Sequence, residues 1–268
     1  MRLKGLLLLG LPFLVLGPVR ADVVAHLYRG EAIVTGQENL EERQRGFREA
    51  LAQALVKVSG DARLATAPRL DAALAQAQRY VAQFDYEDRL AKKKLMDEQG
   101  TRERSYILRV DFEPAAIDAL LQDLGAKPWA ADRPRLLVLL VIEDSVGSYL
   151  LGTDSARGWG QREALGDIAR RRGVPAVLPA TRADDPSAVT GEAVEAADVA
   201  GLARIAGLYG AAAVLRGTMR MRSDGLWDTR WLLAIPAGGR PWQDEATTFD
   251  RAIGSGLAGA ARQLAGAG

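Results

Sequence analysis

The chain has 268 residues, 48% of them hydrophobic and 26% charged, with a formal net charge of +1. That composition belongs to a folded protein long enough for two compact units, and so neutral a balance gives no electrostatic footprint for nucleic acid. With no cysteine and one histidine, the chain lacks the parts for disulfides, a lipid-modified N-terminal cysteine or a zinc site of several His and Cys ligands, and the histidine that usually serves as base to a nucleophile could only be His26.

Residues 1–21, MRLKGLLLLGLPFLVLGPVRA, have the form of a Sec-type signal peptide: basic Arg2 and Lys4, an apolar run from Gly5 to Gly17, then Val19-Arg20-Ala21 before the cut. The run is shorter than the roughly 20 residues of a spanning helix. The expected product is therefore a periplasmic protein with no stable membrane span; retention of the leader as an anchor is the lesser alternative. Cleavage removes three basic residues and no acid, so the quoted +1 turns slightly negative.

Residues 22–126 read as an N-terminal α+β domain. DVVAHLYRGEAIV (22–34) is rich in β-branched and aromatic residues and predicts a first strand carrying His26 beside Val24 on one face. Asn39 and Glu42 resemble a capping box. After them Phe47, Leu51, Ala54, Leu55 and Val58 recur at helical spacing until Ser59-Gly60-Asp61. A second helix is expected from Pro68, with Leu70, Ala73, Leu74, Ala77 and Val81 on one side. VAQFDYEDRL and ERSYILRVDF read as two strands around a charged hairpin tip, AKKKLMDEQGTR (91–102), whose lysines are expected to be solvated. Pro114 opens a third helix, which Gly125 closes.

Residues 127–133, within the proline-containing stretch AKPWAADRP, mark a linker, and 134–268 a C-terminal α/β domain. RLLVLLVIED (135–144) is a continuous apolar run, the pattern of a strand buried on both faces. A glycine-rich loop, a helix over 161–172, a short strand VPAVLP, a polar loop, a helix VAGLARIAGLYG, a long hairpin over 211–235, a possible edge strand at 240–248 and a last helix follow. Strands alternating with helices imply α/β architecture. The fold class is thus α+β / α/β: two small modules, each a mixed or antiparallel sheet packed with helices.

The hairpin AAAVLRGTMRMRSDGLWDTRWLLAI carries Arg216, Arg220, Arg222 and Arg230. A two-residue turn would mix core and charge on both faces. A three-residue loop, Ser223-Asp224-Gly225 with a left-handed glycine, instead pairs Met221 with Trp227, Met219 with Thr229, Gly217 with Trp231 and Leu215 with Leu233. The arginines then share the other face, where Arg220 meets Asp228 and Thr218 meets Arg230. They are read first as a solvated face, their stems over Leu226 and Leu232, and second as the candidate surface for a partner protein.

Glu143 and Asp144 end the buried strand 135–144, where open α/β sheets gather ligands, and form the alternative ligand site. The loop after them has neither GxGxxG nor GxxxxGK[ST]. His26 reads as a sheet histidine and Asp184-Asp185-Pro186 as a turn. Arg170-Arg171-Arg172 suits a helix C-terminus, with partner binding as the minor alternative. Trp129 and Trp242 each adjoin a proline and read as domain-interface plugs or binding hot spots. No catalytic, cofactor-binding or metal-binding residue is identified, and no cofactor is expected.

The segments FREALAQALVKVSGD, YILRVDFEPAAIDALLQDLGAKPW, RPRLLVLLVIED, YGAAAVLRGTMR and DGLWDTRWLL together resemble the bacterial envelope family named domain of unknown function 2066. That resemblance implies an exported protein and offers no catalytic residues. In element order the second half is similar to the N-terminal domain of TolB and to the curli secretion lipoprotein, and the first half to the small domain of a flagellar assembly protein. The expected function is a non-enzymatic binding or assembly factor for another envelope component. The alternative is a small-molecule binder or hydrolase using the carboxylates that end strand 135–144.

Overall fold

The computed structural model describes residues 21–89, 104–236 and 238–266. The expected leader, 1–21, lies outside them except for Ala21, which begins the first strand, and the lysine-rich tip 91–102 lies outside them. The fold is α+β: a three-stranded antiparallel sheet and a six-stranded mixed sheet, each with helices, joined by a two-stranded ribbon.

The first predicted strand is two. β1 (Ala21–Val23) pairs with β5 (Asp132–Pro134), whereas β2 (Arg29–Thr35) enters the three-stranded sheet. His26 is therefore not in a strand: it stands in the turn between them at φ 49°, a left-handed conformation in which histidine is over-represented. Helix α1 (Leu40–Ser59) starts and stops as expected, with the Asn39 side chain accepting from the Glu42 amide and Gly60 left-handed at its end. Only half of the capping box forms, since the Glu42 carboxylate accepts from the Thr35 amide instead.

The helix expected from Pro68 is broken into pieces: 3-10 turns at Ala62–Thr66, Pro68–Leu70 and Ala77–Tyr80 around the four-residue α2 (Asp71–Leu74). Pro68 holds Ala67 extended and separates the first two. The apolar positions Leu70, Ala73 and Ala77 are still buried, so the side-chain pattern was met by consecutive single turns. β3 (Val81–Asp88) and β4 (Ser105–Phe112) complete the sheet in the order β2-β4-β3. α3 (Pro114–Asp123) ends at left-handed Gly125.

β6 (Leu136–Asp144) is the spine of the second sheet, with seven consecutive buried residues. Leu136, Val138, Leu140 and Ile142 point to one core, and Leu137, Leu139 and Val141 to another, the period of two that a strand imposes. The expected glycine loop contains a short strand, β7 (Gly147–Leu150), turned back on β6 through a bond from the Val146 amide to the Asp144 carboxylate. Next come α4 (Trp159–Arg172), a two-residue β8 (Ala176–Val177), an unexpected α5 (Gly191–Ala196) and α6 (Val199–Leu208). The hairpin of β9 (Ala213–Met221) and β10 (Trp227–Ala234), the edge strand β11 (Pro241–Ala246) and α7 (Phe249–Ala265) close the chain. The hairpin register is the one expected: Met221 faces Trp227, Gly217 faces Trp231, and Gly225 sits at φ 83°. α4 and α7 contribute to the core on one face of this sheet, α5 and α6 to that on the other.

The connecting residues 127–133 are packed. Trp129 is buried against the second sheet's core, and its amide donates to the Val58 carbonyl of α1. Arg133 is completely buried and has no carboxylate partner among the described residues. Its guanidinium lies 4.0 Å over the Trp129 ring and donates to the carbonyls of Ala130, Trp129, Lys57, Arg172 and Gly173. Two of these carbonyls close α4 and one belongs to the last turn of α1, so the negative ends of two helices converge on one cation. Replacing Arg133 with Met should orphan those carbonyls and cost about 3–5 kcal/mol, measured as a shift in urea midpoint at unchanged slope.

Lys57 is buried beside it, donating to the carbonyls of Arg29 (2.6 Å) and His26 (3.4 Å). Burial, opposed by Glu31 and reinforced by Arg170, Arg29 and Arg133, pulls its pKa down to about 8. Below pH 8 the folded state carries the full cost of the buried charge. Between pH 8 and the ordinary value of 10.5 the folded protein loses the proton while the unfolded chain keeps it, so this site's contribution to stability rises with pH. The stability of Lys57→Met relative to the parent should therefore fall by on the order of 2 kcal/mol between pH 7 and pH 10, read from paired denaturation curves.

Candidate functional site

The hairpin brings its four arginines to one face because the other is filled. Leu215, Met219, Trp227, Trp231 and Leu233 enter the core shared with α7. Gly217 and Gly256 flank the Trp231 indole, and a Cβ at either would run into the ring. On the arginine face, α5 and α6 pack over Leu137, Leu139, Val141 and Val214 through Val194, Leu202 and Ala206. Beyond them the face is open: Arg220, Arg230, Gln243 and Glu245 are exposed. Between α5 and β11 lies a groove of about 560 Å³, with Val141, Val194, Thr218 and Leu232 in its lining and Arg216, Arg230 and Glu195 as its charges.

The arginines differ in what they hold. Arg220 donates to Glu143 at 2.6 Å, so the candidate surface and the alternative ligand site meet in one ion pair. Arg222 reaches Asp224 (2.6 Å), Glu245 (3.1 Å) and Asp228 (3.5 Å). Arg216 donates to the Ala197 carbonyl at 3.1 Å. Arg230 has no acceptor among the described residues. Cross-strand pairing thus cancels the charge at the turn and leaves it at the groove.

The carboxylates at the end of β6 do not converge on a common point. Glu143 turns to Arg220, and Asp144 to Arg157 at 2.6 Å, whose guanidinium also lies 4.3 Å over the Tyr149 ring. The Val146 amide and the Arg157 guanidinium hold the Asp144 carboxyl below its usual range, which favours a permanent anion over a proton-transfer group near neutrality. The loop beyond is stapled by Asp154, which accepts from the Thr181 hydroxyl and amide and from the Arg182 amide. Among the described residues no cluster of His, Cys, Asp or Glu could hold a metal, and no helix is long and apolar enough to cross a membrane.

Of the other residues singled out in the sequence, Arg170 pairs with Glu31 across the two units at 3.0 Å, Arg171 is exposed and Arg172 is half-buried. Trp129 plugs the junction, while Trp242 packs over Gly259 of α7 and stacks near Trp231. The α5 side of the groove, Val194 and Glu195, was missed; its signal is the cap at Thr190, which accepts from the Ala193 amide.

The family described as Domain of unknown function (DUF8605) matches residues 21–130, the first α+β unit and the start of the junction. This corrects the resemblance to domain of unknown function 2066. The segments that carried it span helices and strands rich in Ala, Leu and Val, and those in the first half fall inside a different family's match. No curated protein matches the chain, so the likeness in element order to TolB and the other assembly proteins carries no argument.

Because Arg220 is 69% exposed and Glu143 35%, solvent screens their pair. Arg220→Ala should change stability by no more than about 1 kcal/mol, with the small loss vanishing in high salt when measured by urea denaturation.

Proposed function

We propose that the protein is an exported, non-catalytic binding or assembly factor of the bacterial envelope, holding a partner protein on the uncovered half of its six-stranded sheet. The observation that carries this reading is the groove between α5 and β11, which combines apolar lining from Val141, Val194 and Leu232 with an unpaired guanidinium at Arg230. An apolar floor beside an arginine has the composition of a protein-binding hot spot. The leader sequence supports export. The alternative, a binder or hydrolase built on Glu143 and Asp144, loses support because both carboxylates are engaged by arginines outside the groove lining.

A photoreactive residue at Thr218, which faces Arg230 across the strands, tests this in intact cells against a control probe at the exposed Arg69. The expected result is one discrete cross-linked protein from Thr218 alone, lost when Arg230→Glu is added. Equal labelling from both probes, or labelling indifferent to Arg230→Glu, would remove the groove as the binding site.

A further inference from the structure

On the opposite face of the same sheet, α4, α7 and β11 enclose a cleft of about 620 Å³. Its floor is the small-residue side of α7, Gly254, Ala258 and Gly259; Trp242 and Ile168 give it apolar walls. Arg172, Arg251 and Arg262 supply its positive charge, and Asp244 and Asp250 its negative charge. The Asp244 carboxylate accepts from the Ser255 hydroxyl at 2.8 Å, and Asp250 sits in the first turn of α7, where the helix dipole favours an anion.

Arg172 is the exception among the half-buried and buried arginines. Among the described residues, every other half-buried or buried arginine donates to a carboxylate, a carbonyl or a tyrosine oxygen; Arg133 and Arg162 bind carbonyls, and Arg43 binds Tyr86. The Arg172 guanidinium, beside Gly254, has no acceptor. Burial disfavours its charged form, and its position at the end of α4 offsets part of that cost. On its other side a cavity of about 300 Å³ opens between α1 and α4, lined in part by Ala52, Val56 and Ala62. Arg172 thus stands between two partly apolar recesses, and Arg251 and Arg262, about 16 Å apart along the helix, stand at the ends of the larger one.

We infer that this cleft binds an acidic peptide segment of a partner protein, with a carboxylate on Arg172 and neighbouring apolar side chains against Trp242 and in the Ala52–Val56 recess. The spread of the three guanidiniums fits an extended segment with spaced carboxylates, and the two acidic residues of the cleft disfavour a compact polyanion. This site is separate from the Arg230 groove and does not depend on it.

The test is fluorescence anisotropy of the full chain with a labelled short peptide of alternating glutamate and leucine, with a lysine–leucine peptide as control. The acidic peptide alone is expected to bind, more weakly in high salt. Arg172→Met should weaken it about tenfold or more, the size of a lost charged hydrogen bond, while Arg230→Glu leaves it unchanged. Because the Arg172 side chain bonds no protein group, its replacement orphans nothing, and an unchanged thermal melt verifies the fold. Failure of the acidic peptide to bind, or equal binding by Arg172→Met, overturns the proposal. So does displacement of the peptide by inorganic phosphate at equal concentration, which would define a simple anion site, or Arg172-dependent binding to phosphatidylglycerol vesicles tighter than to peptide, which would define a lipid-headgroup surface.

Discussion

The buried guanidinium of Arg133 sets the arrangement of everything around it. A cation removed from water must recover its hydration from polar groups of the protein, and here it does so from carbonyls. Those of Lys57, Arg172 and Gly173 close helices on either side of the junction. Burial lowers the Arg133 pKa to about 10, which still leaves it charged at neutral pH. Gly173 is left-handed at φ 61°, and a Cβ there would press on the Arg133 Nη1 atom, so the glycine that ends α4 also makes room for the cation. The residues between the two sheets are consequently a fixed joint, and Trp129, stacked on the same guanidinium, fills the space beside Gly60.

A second constraint is the treatment of sheet edges, whose unpaired backbone groups invite association. The free edge of β2 is covered by α1 in an unusual way. Lys57 donates to the Arg29 carbonyl, Gln53 accepts from the Glu31 amide, Arg45 donates to the Ile33 carbonyl, and Glu42 accepts from the Thr35 amide. Four side chains along one helix flank thus act as the missing neighbouring strand. Gly30 makes this possible, since a Cβ there would lie on the Ala50 carbonyl. At the other end of the molecule, β11 begins with Pro241, which has no amide to offer, and Asp244 folds its carboxylate onto the Glu245 amide. These two edges are thereby blunted.

Charge is distributed to the same effect. Many arginines are cancelled locally, including Arg220 and Arg222 at the hairpin turn. Arg230 in the open groove and Arg172 in the α4–α7 cleft lack acceptors among the described residues, and each stands beside apolar surface. The two lie on opposite faces of the six-stranded sheet.

The hairpin register, the fully buried β6 and the caps of α1 were legible in the sequence because each is decided within a few residues: alternation sets faces, a left-handed glycine sets a loop, and Asn39 sets a helix start. The same local logic failed where distant contacts decide. His26 belongs to a turn because β1 is drawn away to pair with β5, and the turns after Asp61 need only one buried residue apiece rather than a continuous helix. Nothing in the spacing of the polar flank of α1 announces that a strand edge lies against it. Likewise, the four hairpin arginines were placed on their face from sequence, but their partners, Glu143 and Glu245 among them, come from other strands. By itself the sequence determined the longer helices and strands, the faces of the hairpin and the absence of cysteine and multi-histidine chemistry, because these follow from residue identity and short-range periodicity. Only the tertiary structure decided which charges are cancelled, which edges are capped and which guanidinium is left without an acceptor, because those depend on groups brought together across long stretches of chain.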